Sequence, residues 1–261
     1  MVLDTRAAEL TAHFFDTFAD AYDDWFWGLH RRVAGRLVAL AAARSGEACL
    51  DVGCGTGLVA HGLARVVGPD GQVVGLDVSE GMLSVARPQA LPNTTFHLAA
   101  AEPHLPFRDG TFDLVVLCDS LAYLSNPAGS LEEARRVLRP AGRLLLRGNF
   151  SDHHPRPWWL EHFPRGLEAD EALFQPLHEV IAMFTADGWR VASFGTVTEP
   201  SYGTRGDMLG RLRLRTLSFF AQLTPDEVEA GLRRLEQVVA ADPGAPAPAF
   251  SEPLLTLERR S

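Results

Sequence analysis

From Cys49 to Gly57 the chain reads Cys-Leu-Asp-Val-Gly-Cys-Gly-Thr-Gly. A hydrophobic run ends on one carboxylate, Asp51, and enters a turn with glycine at 53, 55 and 57. Glycine lets the backbone turn tightly and lets a ligand come close to the main chain. Leu58, Val59, Leu63 and Val66 follow at helical spacing, so a helix begins where the turn ends. The N–H groups of a first helical turn lack intrahelical acceptors and favour polar or anionic ligand groups. These residues describe a nucleotide-type cofactor site on an α/β sheet.

The spacing narrows the ligand. A dinucleotide fingerprint needs Gly-x-Gly-x-x-Gly, and the completing position here is Leu58. A phosphate loop needs Lys before Ser or Thr, and this chain contains no Lys. A second strand, Gln72–Asp77, also ends on an acid. Asp77 lies about 20 residues past the last glycine, the separation at which a carboxylate meets ribose hydroxyls in such folds. Ser79 is placed to cap the next helix, and Val78 and Met82 to flank an adenine ring. Phe112–Cys118 reads as a fourth, buried strand, and Val137–Leu146 as a helix end, a turn and a fifth.

An acid followed by Gly-x-Gly-x-Gly, with these motifs in this order from Asp51 to Leu146, resembles the class I S-adenosylmethionine-dependent methyltransferases. Within them it resembles the small-molecule branch that includes the ubiquinone and menaquinone C-methyltransferases. Leu105–Asp113 matches that family's fourth motif region, and Phe18–Asp23 its N-terminal helical entry. The resemblance implies a Rossmann-like, seven-stranded, mostly parallel sheet with helices on both faces. It implies an N-terminal helical lid over residues 1–45, a cofactor-binding core over 46–150, and an acceptor-side half over 151–261. All three form a single domain, with a helical insertion at about 201–249 before the last strand. It implies S-adenosylmethionine as cofactor, with Tyr22 covering it. Asp51, Gly53, Cys54, Gly55, Gly57, Asp77, Val78, Met82 and Cys118 would line it. One departure stands out. The acid that usually accepts from the adenine amine is missing from Leu98-Ala99-Ala100-Ala101-Glu102-Pro103-His104. Glu102 from a shifted register, or backbone around Ala101, would have to serve.

Composition sets the outer bounds. Of 261 residues, 46% are apolar, as in an ordinary globular chain. A net charge of −9 argues against nucleic acid as partner, which needs a basic surface. The three Cys lack Cys-x-x-Cys spacing and share no ligand spacing with His, so no metal site is expected. They suit a reducing compartment. Asp4 and Glu9 interrupt any signal-like N-terminus, and no apolar stretch is long enough to span a membrane. The expectation is a cytoplasmic protein, monomer or homodimer.

Outside the cofactor half, two helices are expected before Gly46, with Tyr22–Gly28 as an aromatic patch between them. A helix over about 169–187, a sixth strand at 190–197 and a last strand at 254–258 follow. In the insertion, Thr224-Pro225-Asp226-Glu227 is a capping box, and 207–223 fits a helix better than a strand. Arg205 and the Arg211–Arg215 set could hold an anionic acceptor, against the plain reading of a solvated face.

The chemistry expected is in-line methyl transfer to O, N or C of a small molecule, aromatic or apolar. A general base is needed only where the acceptor must lose a proton. His153 and His154 occupy the loop after the fifth strand, which leaves the carboxyl edge of the sheet where ligands bind. Tyr123 matches a family position near the transferring methyl. A solvated loop histidine, or a packed tyrosine, is the bland alternative for each. A non-catalytic, cofactor-binding regulatory protein and a nicotinamide-dependent oxidoreductase are the other functions considered; Leu58 disfavours the second.

Overall fold

The computed structural model describes residues 5–23, 25–153, 156–186, 188–199, 203–215 and 217–260. Strands β1 (Ala48–Val52), β2 (Gln72–Asp77), β3 (Thr94–Leu98), β4 (Phe112–Cys118), β5 (Leu138–Arg147), β6 (Trp189–Glu199) and β7 (Phe250–Arg259) form one sheet. Their order is β3-β2-β1-β4-β5-β7-β6. β3, β2, β1, β4 and β5 run parallel, and β7 runs antiparallel to β5. This is the mostly parallel, Rossmann-like sheet expected. Cys49, Leu50, Asp51 and Val52 of β1 are all buried, as a strand covered on both faces must be.

The order reverses beside β1, and α/β ligands bind at the carboxyl ends there. Helix α4 (Leu58–Val67) starts at this point. Its Val59, Leu63 and Val67 pack with Leu37 of α3 (Trp25–Leu40), Val73, Leu114 and Leu145 in one core. Each such side chain contributes roughly 1.5–3 kcal/mol by leaving water. On the N-terminal side stand α1 (Thr5–Asp16) and the one-turn helix α2 (Ala19–Tyr22).

The chain divides into two compact units. The first comprises Met1–Gly148, His178–Gly195 and Pro253–Ser261, and the second Asn149–Leu177 and Thr196–Glu252. The sequence reading placed all of this in one domain with an insertion at about 201–249. The second unit has its own core: Trp159, Leu160, Phe163, Phe219, Phe220, Leu232, Leu235 and Val239. Its helix α10 (Pro225–Ala241) opens on the expected capping box, with Thr224 and Glu227 bonding reciprocally.

Three boundaries differ from the sequence reading. The single helix expected over about 169–187 is two: α7 (Pro164–Leu173) and α8 (Leu177–Ala186). The break precedes Pro176, which disfavours helical backbone in the residue before it. The helix expected over 207–223 is α9 (Arg205–Leu212), then a turn with Arg215 at φ 55°, then a 3-10 segment at Ser218–Gln222. The alternating Arg-Leu pattern gives Leu214 no apolar face, and it stands 66% exposed. Before Gly46 the two expected helices are three, and the last, α3, begins at Trp25, inside the aromatic patch.

Candidate functional site

The glycine turn is shaped by its own backbone. Gly53 and Cys54 N–H groups donate to the Leu76 carbonyl at 2.8 and 3.1 Å, and Gly57 N–H to the Cys54 carbonyl at 2.9 Å. Gly53, Gly55 and Gly57 have φ of 72°, 53° and 82°. At Gly53 a Cβ would stand 2.5 Å from the Ser120 Cβ, and at Gly57 it would meet His61 and Phe96 at 2.8 and 2.9 Å. Both positions thus need glycine for conformation and for room. Four of the turn's N–H groups, including that of Gly55, are taken up by protein acceptors, which leaves the start of α4, where the sequence reading put them, as the place for free donors.

Asp51 is the anomaly. It is 1% exposed, and neither carboxylate oxygen has a partner in good hydrogen-bond geometry. Burial pushes its carboxyl up to about 7, nearby Asp77 adds to that, and the Ala60 N–H opposes it weakly. Asp77 differs. Its Oδ2 accepts from Gly55 N–H at 2.7 Å and its Oδ1 from Ser79 N–H at 2.9 Å. Burial raises its pKa, and these N–H groups pull against it. Ser79 caps α5 (Glu80–Ala86) through the Met82 N–H at 3.0 Å, as its position predicted.

The N-terminal helices are fastened to this rim. Asp16 of α1 accepts from Ser79 Oγ and from Gly81 N–H at 2.5 and 2.9 Å. Asp23, 5% exposed, accepts from the Thr56 hydroxyl inside the glycine turn and pairs with Arg31 at 3.3 Å. Sequence reasoning named neither carboxylate as a site residue; the acid pair at Asp23-Asp24 was the available signal. Tyr22 stacks on His30 with centroids 4.1 Å apart. Burial, with Asp119 beside it, holds the Tyr22 phenol well above its ordinary value. The side chains of Trp25, Phe26 and Trp27 lie outside the described residues.

Other expected residues are placed differently. Met82 is 2% exposed and packed in the core, so in this conformation it offers adenine no face, whereas Val78 is partly open. Ala101 is buried. Glu102 is committed elsewhere: its carboxylate accepts from Ser125 N–H and Oγ, Asn126 N–H and Ser130 Oγ. It fastens the start of α6 (Pro127–Val137) and is not free to replace the missing adenine acid. His104 pairs with Glu133 at 2.9 Å, a structural contact. Cys54 is buried and Cys118 partly open, and burial raises both thiols. His153 is half-exposed beside Asp152 at 3.1 Å in the second unit, and His154 lies outside the described residues. Arg213 and Arg215 pair with Glu236 and Glu229 on an exposed face. Among the described residues no group of His, Cys, Asp and Glu could hold a metal ion. Nor is any described helix long and apolar enough to cross a membrane.

These features fit S-adenosylmethionine. Its methionine end carries an ammonium that a buried, unsatisfied carboxylate at Asp51 would meet, and Asp77 stands oriented at the rim for hydroxyls. Comparison with known proteins agrees. Residues 50–146 match the family described as a methyltransferase domain. The chain is 36% identical over 154 residues to the ubiquinone/menaquinone biosynthesis C-methyltransferase UbiE of Pseudomonas putida, covering 56% of this chain and 60% of UbiE. It is 41% identical over 105 residues to an uncharacterized transposon protein of Streptomyces fradiae, of which it spans 30%. The chain therefore spans less than two thirds of the length of these curated relatives. Among solved structures, an Aquifex aeolicus SAM-dependent methyltransferase superposes with TM-score 0.52 at 24% identity, covering 62% of this chain and 81% of that one. The [4+2]-cyclase SpnF superposes with TM-score 0.59 at 23% identity, covering 90% and 82%. The fold is that of the class I methyltransferases. Within that class the chain resembles the ubiquinone/menaquinone type, and residues 50–146 match a methyltransferase domain.

Proposed function

We propose that this protein binds S-adenosylmethionine and transfers its methyl group to a small-molecule acceptor. The observation that carries this reading is Asp51, a buried carboxylate without a well-made partner at the mouth of a glycine turn. The cofactor supplies a sulfonium-activated methyl; the protein supplies binding and alignment. Asp51 meets the ammonium and is held ionised by it. The start of α4 receives the carboxylate. Asp77, fixed by Gly55 and Ser79 N–H groups, keeps lone pairs for the ribose hydroxyls. Tyr22, tethered through the Asp23–Thr56 bond, covers the site and keeps water from the methyl. Holding the acceptor in line with the methyl supplies much of the barrier reduction. Where the acceptor must lose a proton, His153 and His154 are the takers the sequence offers, and Tyr123 matches a family position near the transferring methyl.

SpnF, named a cyclase, shares the fold, so fold alone does not separate catalysis of methyl transfer from other uses. Calorimetry with S-adenosylmethionine, S-adenosylhomocysteine and NAD tests the cofactor. The first two should bind and NAD should not. Asp77→Ala should weaken binding by about 1–3 kcal/mol, the scale of hydrogen bonds to a charged group. Labelled methyl transfer across phenols, quinones, amines and acids tests turnover. Binding without any methylated product would favour the regulatory alternative.

A further inference from the structure

The carboxyl ends of β4 and β5 carry a charged pair that the cofactor reading leaves unused. Arg147, the last residue of β5, is 3% exposed, and its guanidinium pairs with the carboxylate of Asp119, just past β4. The two main chains are tied as well, Asp119 N–H donating to the Arg147 carbonyl at 2.9 Å. Arg147 Nη1 also reaches Cys118 Sγ at 3.9 Å. Asp119 has a φ of 56°, left-handed backbone that a non-glycine residue adopts at a cost. Only the Arg147 side chain is buried; that of Asp119 is 40% exposed, so the pair presents its carboxylate at open surface. Strain held beside a buried charge points to use.

Aromatic rings stand around the pair. Tyr22 lies on His30, and Phe15 links Tyr22 and Tyr123 with centroids 6.3 and 5.3 Å away. Asp119 and Arg147 both act electrostatically on Tyr22 and His30. Tyr22, His30, Cys118 and Asp119 each keep some open surface, yet desolvation is the first cause of the shifts at the first three. Tyr123 N–H donates to the Ser120 carbonyl at 3.1 Å, which sets this ring cluster next to Asp119 as the walls of a recess. It adjoins the cofactor turn: Ser120 Oγ donates to the Val52 carbonyl at 2.8 Å, and the Asp51 charge is felt at Cys118. Burial pulls His30 down to about 4, so it is neutral at physiological pH, and Tyr22 stays protonated. Among the described residues, Asp119 and Arg147 act on both Tyr22 and His30, and Tyr123 and Cys118 act on Tyr22 as well.

We propose that this recess is the acceptor site, that it takes an aromatic substrate with an acidic hydroxyl, and that Asp119 accepts the hydroxyl proton while Arg147 holds the oxygen. This rests on the methyl-transfer reading. The O–H bond breaks and its proton passes to the Asp119 carboxylate. An oxygen electron pair forms the bond to the methyl carbon. The carbon–sulfur bond breaks with its pair left on sulfur, giving a methyl ether and a thioether. Asp119 then returns the proton to water. The substrate ring lies against the stacked Tyr22–His30 pair, and Tyr123 closes its other side.

The test uses para-nitrophenol, whose phenolate is coloured, with the full chain saturated by S-adenosylhomocysteine so that nothing turns over. Bound probe should ionise at a pH lower by about one unit, a tenfold shift in the phenolate fraction. Asp119→Asn, which tolerates the left-handed backbone, should keep the shift, while its methylation of unsubstituted phenol with S-adenosylmethionine, an acceptor that arrives protonated, falls by about 10²-fold or more. Arg147→Met should abolish the shift. If that variant unfolds, Asp119→Asn/Arg147→Met removes the pair together and should show the same loss. An unshifted probe in the parent, or an Asp119→Asn variant methylating at the parental rate, overturns the proposal. Failure of S-adenosylhomocysteine to bind would instead overturn the methyl-transfer reading beneath it.

Discussion

The cofactor turn and the Asp119–Arg147 recess meet at Ser120, yet they are built in opposite ways. The turn is a local object. Nine consecutive residues carry it, three are glycine, and backbone N–H groups fix its shape. The recess is assembled from side chains of α1, α2, α3 and the ends of β4 and β5, far apart in sequence. A site made from backbone tolerates little change at its glycines. A site made from side chains can be re-specified one residue at a time, and its charges answer to pH. The ionisable groups show the contrast: Asp51 at the turn is held too protonated, His30 at the recess too little.

The sharpest way to break this comparison is at Gly53. Gly53→Ala combines left-handed strain with a 2.5 Å overlap on Ser120 and should cost about 3–5 kcal/mol. Gly46→Ala, at φ 82° in open space, should cost only about 1–2 kcal/mol. Chemical denaturation of both variants checks the difference; equal losses would mean the turn is not sterically locked.

Asp51 comes next. Its folded pKa is raised from 3.8 to about 7, so the fold favours its protonated form below that pH. That contribution is complete below the ordinary value and is lost as pH rises towards 7. Asp51→Asn should therefore gain on the parent by about 2–4 kcal/mol between pH 5 and pH 8, while losing cofactor affinity. Calorimetry near pH 6 in buffers of different ionisation enthalpy should show proton release when the parent binds cofactor. A flat stability difference across that range would remove the anomaly at Asp51.

His30 should slope the other way. Its folded pKa is depressed from 6.5 to about 4, so its contribution is present above 6.5 and lost as pH falls through 4. His30→Phe keeps the stack on Tyr22 and should gain up to about 2–3 kcal/mol on the parent between pH 7 and pH 4. Thermal melts of the pair across that range read it directly. The smallest effect belongs to the exposed face of the second unit. Arg213→Ala breaks an exposed pair with Glu236 and should change stability by less than about 0.5 kcal/mol and leave cofactor binding alone.

The sequence made the cofactor half legible because its signals are local. Asp51, the glycine spacing, Asp77 and the Ser79 cap each depend on neighbours within a few positions. The Thr224–Glu227 capping box was readable for the same reason. Glu102 was not. As a lone acid near the adenine end it suited a ligand, but its carboxylate faces Ser125, Asn126 and Ser130, more than 20 residues on. Met82 was assigned by spacing to the site and by packing to the core. The helix expected over 207–223 failed because the apolar pattern ran past Leu212, where side chains had no shared face to cover.

By itself the sequence determined a parallel sheet with a glycine turn after its first strand and acids at the ends of its first two, because strand period, turn chemistry and capping are short-range. Tertiary structure alone decided that Asp51 would be left without a good partner, that Asp23 would close on Thr56, that Tyr22 would stack on His30, and that Asp119 would pair with Arg147. Those arrangements depend on which elements the fold brings together and how much water it removes between them, and neither quantity is written in any local stretch of the chain.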